Sequence, residues 1–133
     1  MGWTYTYKPK NESVFEFFQR RFNYTKYNGS YGKVIDCAVV NLRTAYLAYE
    51  CYSPENGRVV VAIVCLLDYV PNDPYYNFGY KDMEECCGPY EAECPERILR
   101  LLTPTESEWA QKWRDACWKN LANKKVRLTR GRK

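Results

Sequence analysis

With 133 residues, 46% of them hydrophobic and 17% aromatic, the chain can bury one substantial core and is too apolar to be disordered. It carries 20 basic and 16 acidic side chains and no histidine, which removes Ser-His and Cys-His nucleophile pairs and the commonest general base. Its seven cysteines, an odd number, and an opening without a basic-then-apolar leader give a reducing, cytoplasmic setting as the expectation.

In chain order, Ser13 followed by Glu16 forms a capping box, and Val14, Phe17, Phe18 and Phe22 then recur at helical spacing. A helix from Val14 to Phe22 is expected, with its phenylalanines in the core. Asn23 to Gly32 reads as a loop. Three strands rich in Val, Ile and Tyr follow, Lys33–Val40, Arg43–Tyr52 and Arg58–Tyr69. The turns between them are Asn41-Leu42 and Pro54-Glu55-Asn56-Gly57, so the strands form an antiparallel meander. In the second strand Tyr46, Ala48 and Glu50 point one way, and Ala45, Leu47, Tyr49 and Cys51 the other. The third strand is apolar almost throughout, hence central, and Val59 to Leu67 within it is too short to span a membrane. Cys37, Cys51 and Cys65, one per strand, are expected as buried packing residues.

Pro71 and Pro74 end this sheet and begin a Tyr-rich connection containing Tyr75 and Tyr76. A short helix is expected at Pro95 to Leu102, stopped by Thr103 and Pro104. Thr105 and Glu108 form a second capping box that opens a helix to about Leu121, with Trp109, Trp113, Ala116 and Cys117 on the stripe that packs on the sheet. The fold expected is α+β, an antiparallel sheet of three to four strands with an N-terminal helix and two C-terminal helices packed on it. Residues 1–123 make one domain and 124–133 a basic tail.

Charge divides along the chain. Residues 68–108 sum to −7, whereas the last ten residues sum to +6 with no acid among them. The acidic segment suits a binding role in which Glu84, Glu85, Glu91 and Glu93, with Tyr75, Tyr76 and Tyr90, meet a basic protein surface or stand in for phosphates. The tail residues Lys124, Lys125, Arg127, Arg130, Arg132 and Lys133 suit nucleic acid or an acidic patch. Cys86, Cys87, Cys94 and Cys117 could converge on zinc if the segment folds back, although no Cys-x-x-Cys knuckle is present. Cys94, ahead of Pro95, would stand at a helix N-cap, where a thiolate is stabilised. Three classes follow: a non-enzymatic binding protein, a zinc-containing nucleic-acid-binding module using the basic tail, and an enzyme with acidic or cysteine chemistry. The first is the leading expectation.

Met1-Gly2-Trp3-Thr4, Gly79-Tyr80-Lys81, Gly88-Pro89-Tyr90, Cys94-Pro95, the Leu101-Leu102 pair with Pro104, and Trp113-Arg114 together resemble a family of small uncharacterised proteins of phages and other bacterial mobile elements. The likeness covers the first few residues and about forty near the C-terminus. It brings no catalytic residue. It implies a setting, the cytoplasm of a bacterial host cell. In that setting the chain looks like a candidate anti-CRISPR inhibitor whose partner is a host defence effector of the Cas9 type.

Overall fold

The computed structural model describes residues 2–23, 26–27, 30–55, 57–70, 78–84 and 92–130. The elements in order are β1 (Thr4–Thr6), α1 (Val14–Phe22), β2 (Lys26–Tyr27), β3 (Ser30–Val40), β4 (Thr44–Ser53), β5 (Gly57–Asp68), β6 (Phe78–Glu84), α2 (Glu96–Leu99) and α3 (Glu108–Arg130). The fold is α+β. The strands lie in the order β1-β6-β5-β4-β3-β2, with every neighbouring pair antiparallel, and β2 is a two-residue addition at one edge.

The β3-β4-β5 meander is the expected one. Asn41 and Leu42 make its first turn with φ of 53° and 59°, and the Arg43 amide donates to the Val40 carbonyl at 3.2 Å. Two left-handed residues match the twist of the strands they join. The sheet is wider than expected because β1, β2 and β6 join it. Phe78–Glu84 does so as an interior strand between β1 and β5. Only Phe78 and Tyr80 mark its buried face, and the prolines and acids around them read as a connection.

Layers cover both faces. On one face α1, opened by the Ser13–Glu16 capping box, seats the fully buried Phe17 and Phe18 against Phe78, Tyr80, Leu47 and Cys65. On the other face α2 and α3 cover Tyr46, Ala48, Val60 and Val64 with Ile98, Leu99, Cys94 and Cys117. The alternation of β4 divides its side chains as expected, with Ala45, Leu47, Tyr49 and Cys51 toward α1 and Tyr46 and Ala48 toward α2 and α3. In β3 an irregularity between Val34 and Asp36 interrupts the ladder. There Ile35 packs into the second core, and Asp36 meets the Arg97 guanidinium of α2 at 3.2 Å. A bulge of this kind lets two consecutive residues serve the same face.

The C-terminal helices differ from expectation, first in that α2 ends at Leu99 rather than Leu102. The α2 helix is capped by Pro95, so Cys94 stands one residue outside the cap. Thr105 and Glu108 do not form a capping box: the Thr105 hydroxyl accepts the Ser107 amide at 3.1 Å, and the Ser107 hydroxyl accepts the Ala110 amide at 3.4 Å. Local turn bonding by Thr105 thus moves the helix start forward. Finally, α3 continues nine residues past Leu121, so most of the tail is helical backbone.

The buried seam of α3 is also rotated. It runs through Ala110, Arg114 and Cys117, with Trp113 beside it, while Trp109 is 59% exposed. Arg114 accounts for the rotation. Only 7% exposed, its guanidinium donates to the Thr103 carbonyl. Thr103 in turn exchanges bonds with Val60 beyond the end of β6, its amide donating to the Val60 carbonyl at 3.0 Å and its hydroxyl accepting the Val60 amide at 2.8 Å. The α2–α3 linker therefore satisfies backbone groups of β5 that β6 does not reach.

Candidate interaction surface

At the β1 end of the sheet, Trp3, Tyr5 and Tyr7 alternate with Thr4 and Thr6. Within β1 that alternation sends the Tyr5 ring to the face opposite Thr4 and Thr6, and Trp3 and Tyr7 flank the strand. Tyr5 pairs with Gly79, which faces away from Phe78 and Tyr80 and therefore away from α1. The Tyr5 ring lies over this glycine so closely that a Cβ there would fall 2.5 Å from the ring. Glycine is thus required at 79 if Tyr5 is to lie flat across β6. The ring reaches β5, where its hydroxyl donates to the Asp68 carboxylate at 3.0 Å. That hydrogen bond, with some burial and the Asp68 charge, raises the Tyr5 pKa above its ordinary value.

Trp3 stacks beside Tyr5 with ring centroids 6.1 Å apart and planes at 29°. Trp3 is 42% and Tyr7 60% exposed. The α2 and α3 helices pack over β3, β4 and β5, on the same side of the sheet but farther along it. The result is an exposed Trp3–Tyr5 stack pinned across β6, with an exposed Tyr7 just past the strand. Large, rigid rings held by strands offer contact area at little entropic cost, which is the character of binding hot spots. The Trp-Thr-Tyr-Thr-Tyr alternation carried the signal for this cluster in the sequence, but a three-residue strand is too short to stand out by pattern.

Part of the expected site residues falls among the described ones. Glu84 ends β6 opposite Ile63. Glu93 accepts the Asn41 side-chain amide at 2.6 Å, which ties the approach to α2 to the β3–β4 turn. Glu85, Glu91, Tyr75, Tyr76 and Tyr90 lie outside the described residues, as do Cys86 and Cys87.

Cys94 and Cys117 do come together, in the second core with Tyr46, Ile98 and Leu99, and both are fully buried. Cys94 is not at the helix cap, a place that Pro95 takes. Cys94 lies in an apolar cluster and donates its S–H to the Pro95 carbonyl at 3.8 Å. Burial pushes the neighbouring Tyr46 hydroxyl well above its ordinary pKa, and that hydroxyl accepts the Glu93 amide at 3.4 Å. Among the described residues no group of three or more acidic or cysteine side chains is arranged to hold a metal ion.

Of the tail cations, Lys124 is exposed, Lys125 meets Glu96 at 3.2 Å, and Arg127 and Arg130 occupy the last turns of α3. Arg132 and Lys133 lie outside the described residues. Among the described residues no helix is long and apolar enough to cross a membrane. Comparison with known protein families, curated proteins and solved structures finds no match to this chain.

Proposed function

We propose that this protein is a non-enzymatic inhibitor that binds and blocks a host nucleic-acid-processing defence effector, of the anti-CRISPR type and directed at the Cas9 class. The observation that carries the proposal is the exposed cluster of Trp3, Tyr5 and Tyr7, in which Tyr5 is pinned to the sheet through Gly79 and Asp68 and Trp3 stacks on it. A rigid aromatic surface is suited to occupying a partner. The resemblance of the chain's motifs to small proteins of phages and mobile elements supplies the setting. The acidic residues around Glu84, Glu85, Glu91 and Glu93 would steer association with a partner whose groove is basic.

Affinity capture from a bacterial host lysate, read by mass spectrometry, tests this reading. A nucleic-acid-processing effector should be recovered with the native protein and lost with Trp3→Ala/Tyr7→Ala. Recovery undiminished by that pair of substitutions would contradict the proposed surface.

A second reading, a zinc-containing nucleic-acid-binding module, is favoured by one observation. Cys94, just ahead of α2, and Cys117, within α3, lie in one cluster. Cys86 or Cys87 would supply a third ligand, with a carboxylate or another thiol in the fourth place. Elemental analysis of protein purified without added metal separates the two readings: about one zinc per chain, reduced in Cys94→Ser, supports the module.

A further inference from the structure

The direction of the backbone groups can be followed outward from β5. The Leu67 amide donates to the Arg43 carbonyl, on the β4 side, whereas the Val60 amide and carbonyl bond to Thr103 on the other side. The β4–β5 ladder runs without a break from Thr44–Leu66 to Ser53–Gly57, so the even-numbered residues of β5 turn their amides and carbonyls away from β4. Asp68 and Gly79 therefore form a hydrogen-bonded pair, and Phe78 and Tyr80 turn their backbone groups toward β1. Thr6 and Thr4, opposite Phe78 and Tyr80, bond inward to β6. The amide and carbonyl of Tyr5 then point to the outer side of β1, the outermost described strand at that edge.

Along this edge the sequence is symmetric by residue class about Tyr5, reading Trp3, Thr4, Tyr5, Thr6, Tyr7. It carries neither a charge nor a proline, the residues that commonly keep a sheet edge from pairing. We infer that the β1 edge is an interface for a second copy of this chain, formed by antiparallel pairing of the two β1 strands with Tyr5 at the two-fold axis. The inference does not rest on the inhibitor reading. An extended strand of any protein offers backbone groups to an edge; the symmetry about Tyr5 selects this chain. In that register Tyr5 lies opposite its own counterpart, Thr4 opposite Thr6 and Trp3 opposite Tyr7. Rings thus meet rings and threonines meet threonines, and both kinds of pair stabilise adjacent antiparallel strands. A slip of one residue would set every ring against a threonine. The outward backbone groups of Tyr5 fit an axis at this residue, since two residues that face each other across an antiparallel pair exchange both hydrogen bonds. Such an interface is closed, because the same residues serve on both sides. The two Tyr5 rings then lie side by side on one face of a continuous sheet.

The test is sedimentation velocity of the full chain over a concentration series. So short a pairing makes a small interface and a weak dimer, so the native chain should be monomeric at about 1 μM and mostly dimeric at about 500 μM. T4K/T6K places lysine opposite lysine twice across the axis and should weaken the dimer at least about fivefold. T4K/T6E places lysine opposite glutamate twice and should dimerise at least as tightly as the native chain. A measurement on the native chain needs no substitution: exchange of the Tyr5 amide should slow about threefold between about 5 and 500 μM, while that of the buried Leu47 stays constant. A native chain that is monomeric at about 500 μM, a T4K/T6K variant that dimerises as the native chain does, a T4K/T6E variant as weak as T4K/T6K, or a Tyr5 amide whose exchange is independent of concentration would each overturn the inference. No effector is present in these measurements, so failure here and failure of the inhibitor reading are distinguishable.

Discussion

Under α1 the sheet is closed by rings. Phe17 meets Phe78 edge-on at 4.7 Å, Phe18 meets Tyr80 at 5.3 Å, and the Arg21 guanidinium donates to the Tyr80 hydroxyl at 2.7 Å. Under α2 and α3 it is closed mainly by aliphatic side chains and two thiols, with Tyr46 and Trp113 its one described ring pair, and it is held in place by polar ties such as Arg114–Thr103–Val60 and Asn120 to the Ala92 carbonyl. A nine-residue helix suffices on the first face because two phenylalanines bury much area each. The second face is assembled from a four-residue helix, a linker and part of a long helix, so hydrogen bonds must fix what ring packing does not.

The difference can be broken most forcefully at Phe17. Phe17→Ala should cost about 3–5 kcal/mol in urea unfolding, because it removes a fully buried ring and leaves a cavity between α1 and Phe78. Arg114→Met keeps the packing volume but leaves the Thr103 carbonyl without this donor, and should cost about 1.5–3 kcal/mol. Because this loss is of a polar tie, amide exchange should quicken at Val60 and Thr103 while the Phe17 side of the sheet stays protected.

Alkaline pH probes the ring-sealed face. Burial, with the Asp36 charge, pushes the Cys37 thiol up to about 12 from an ordinary value of 9.0. The folded chain therefore holds this proton more tightly than the unfolded one. The resulting stability is complete below pH 9 and is lost as pH rises from about 9 toward 12. Thermal melting followed over that range should fall less steeply for Cys37→Ala than for the native protein. The smallest effect is expected at the turn whose strands contribute to both faces: Leu42, 82% exposed, holds a left-handed conformation that suits glycine. Leu42→Gly should raise stability by about 0.5–1 kcal/mol in the same urea titration.

Residues that repeat with a clear period were legible in the sequence. Val14 to Phe22 forms the helix its spacing and capping box describe, and Cys37, Cys51 and Cys65 are the buried packing residues that a strand position suggests. Strand β6 was obscured because long-range pairing with β5 defines it, and its own alternation shows only at Phe78 and Tyr80. The seam of α3 was misplaced by one residue because a buried arginine has the same letter as a solvated one. Its role depends on the Thr103 carbonyl, which a linear pattern does not bring near. The aromatic cluster is a similar case, since Trp3 and Tyr7 gain meaning only when β1 pairs with β6 and Gly79 makes room for Tyr5.

The central claim, that this cluster is a surface for seizing a Cas9-type effector, is tested most directly by surface plasmon resonance against a purified Cas9–guide RNA complex. The native protein should bind, and Trp3→Ala/Tyr7→Ala, folded and melting normally, should bind at least about 30-fold more weakly, the loss expected when hot-spot rings are removed. Absence of binding by the native protein would contradict the partner class. Equal affinities of the native protein and the variant would contradict the surface.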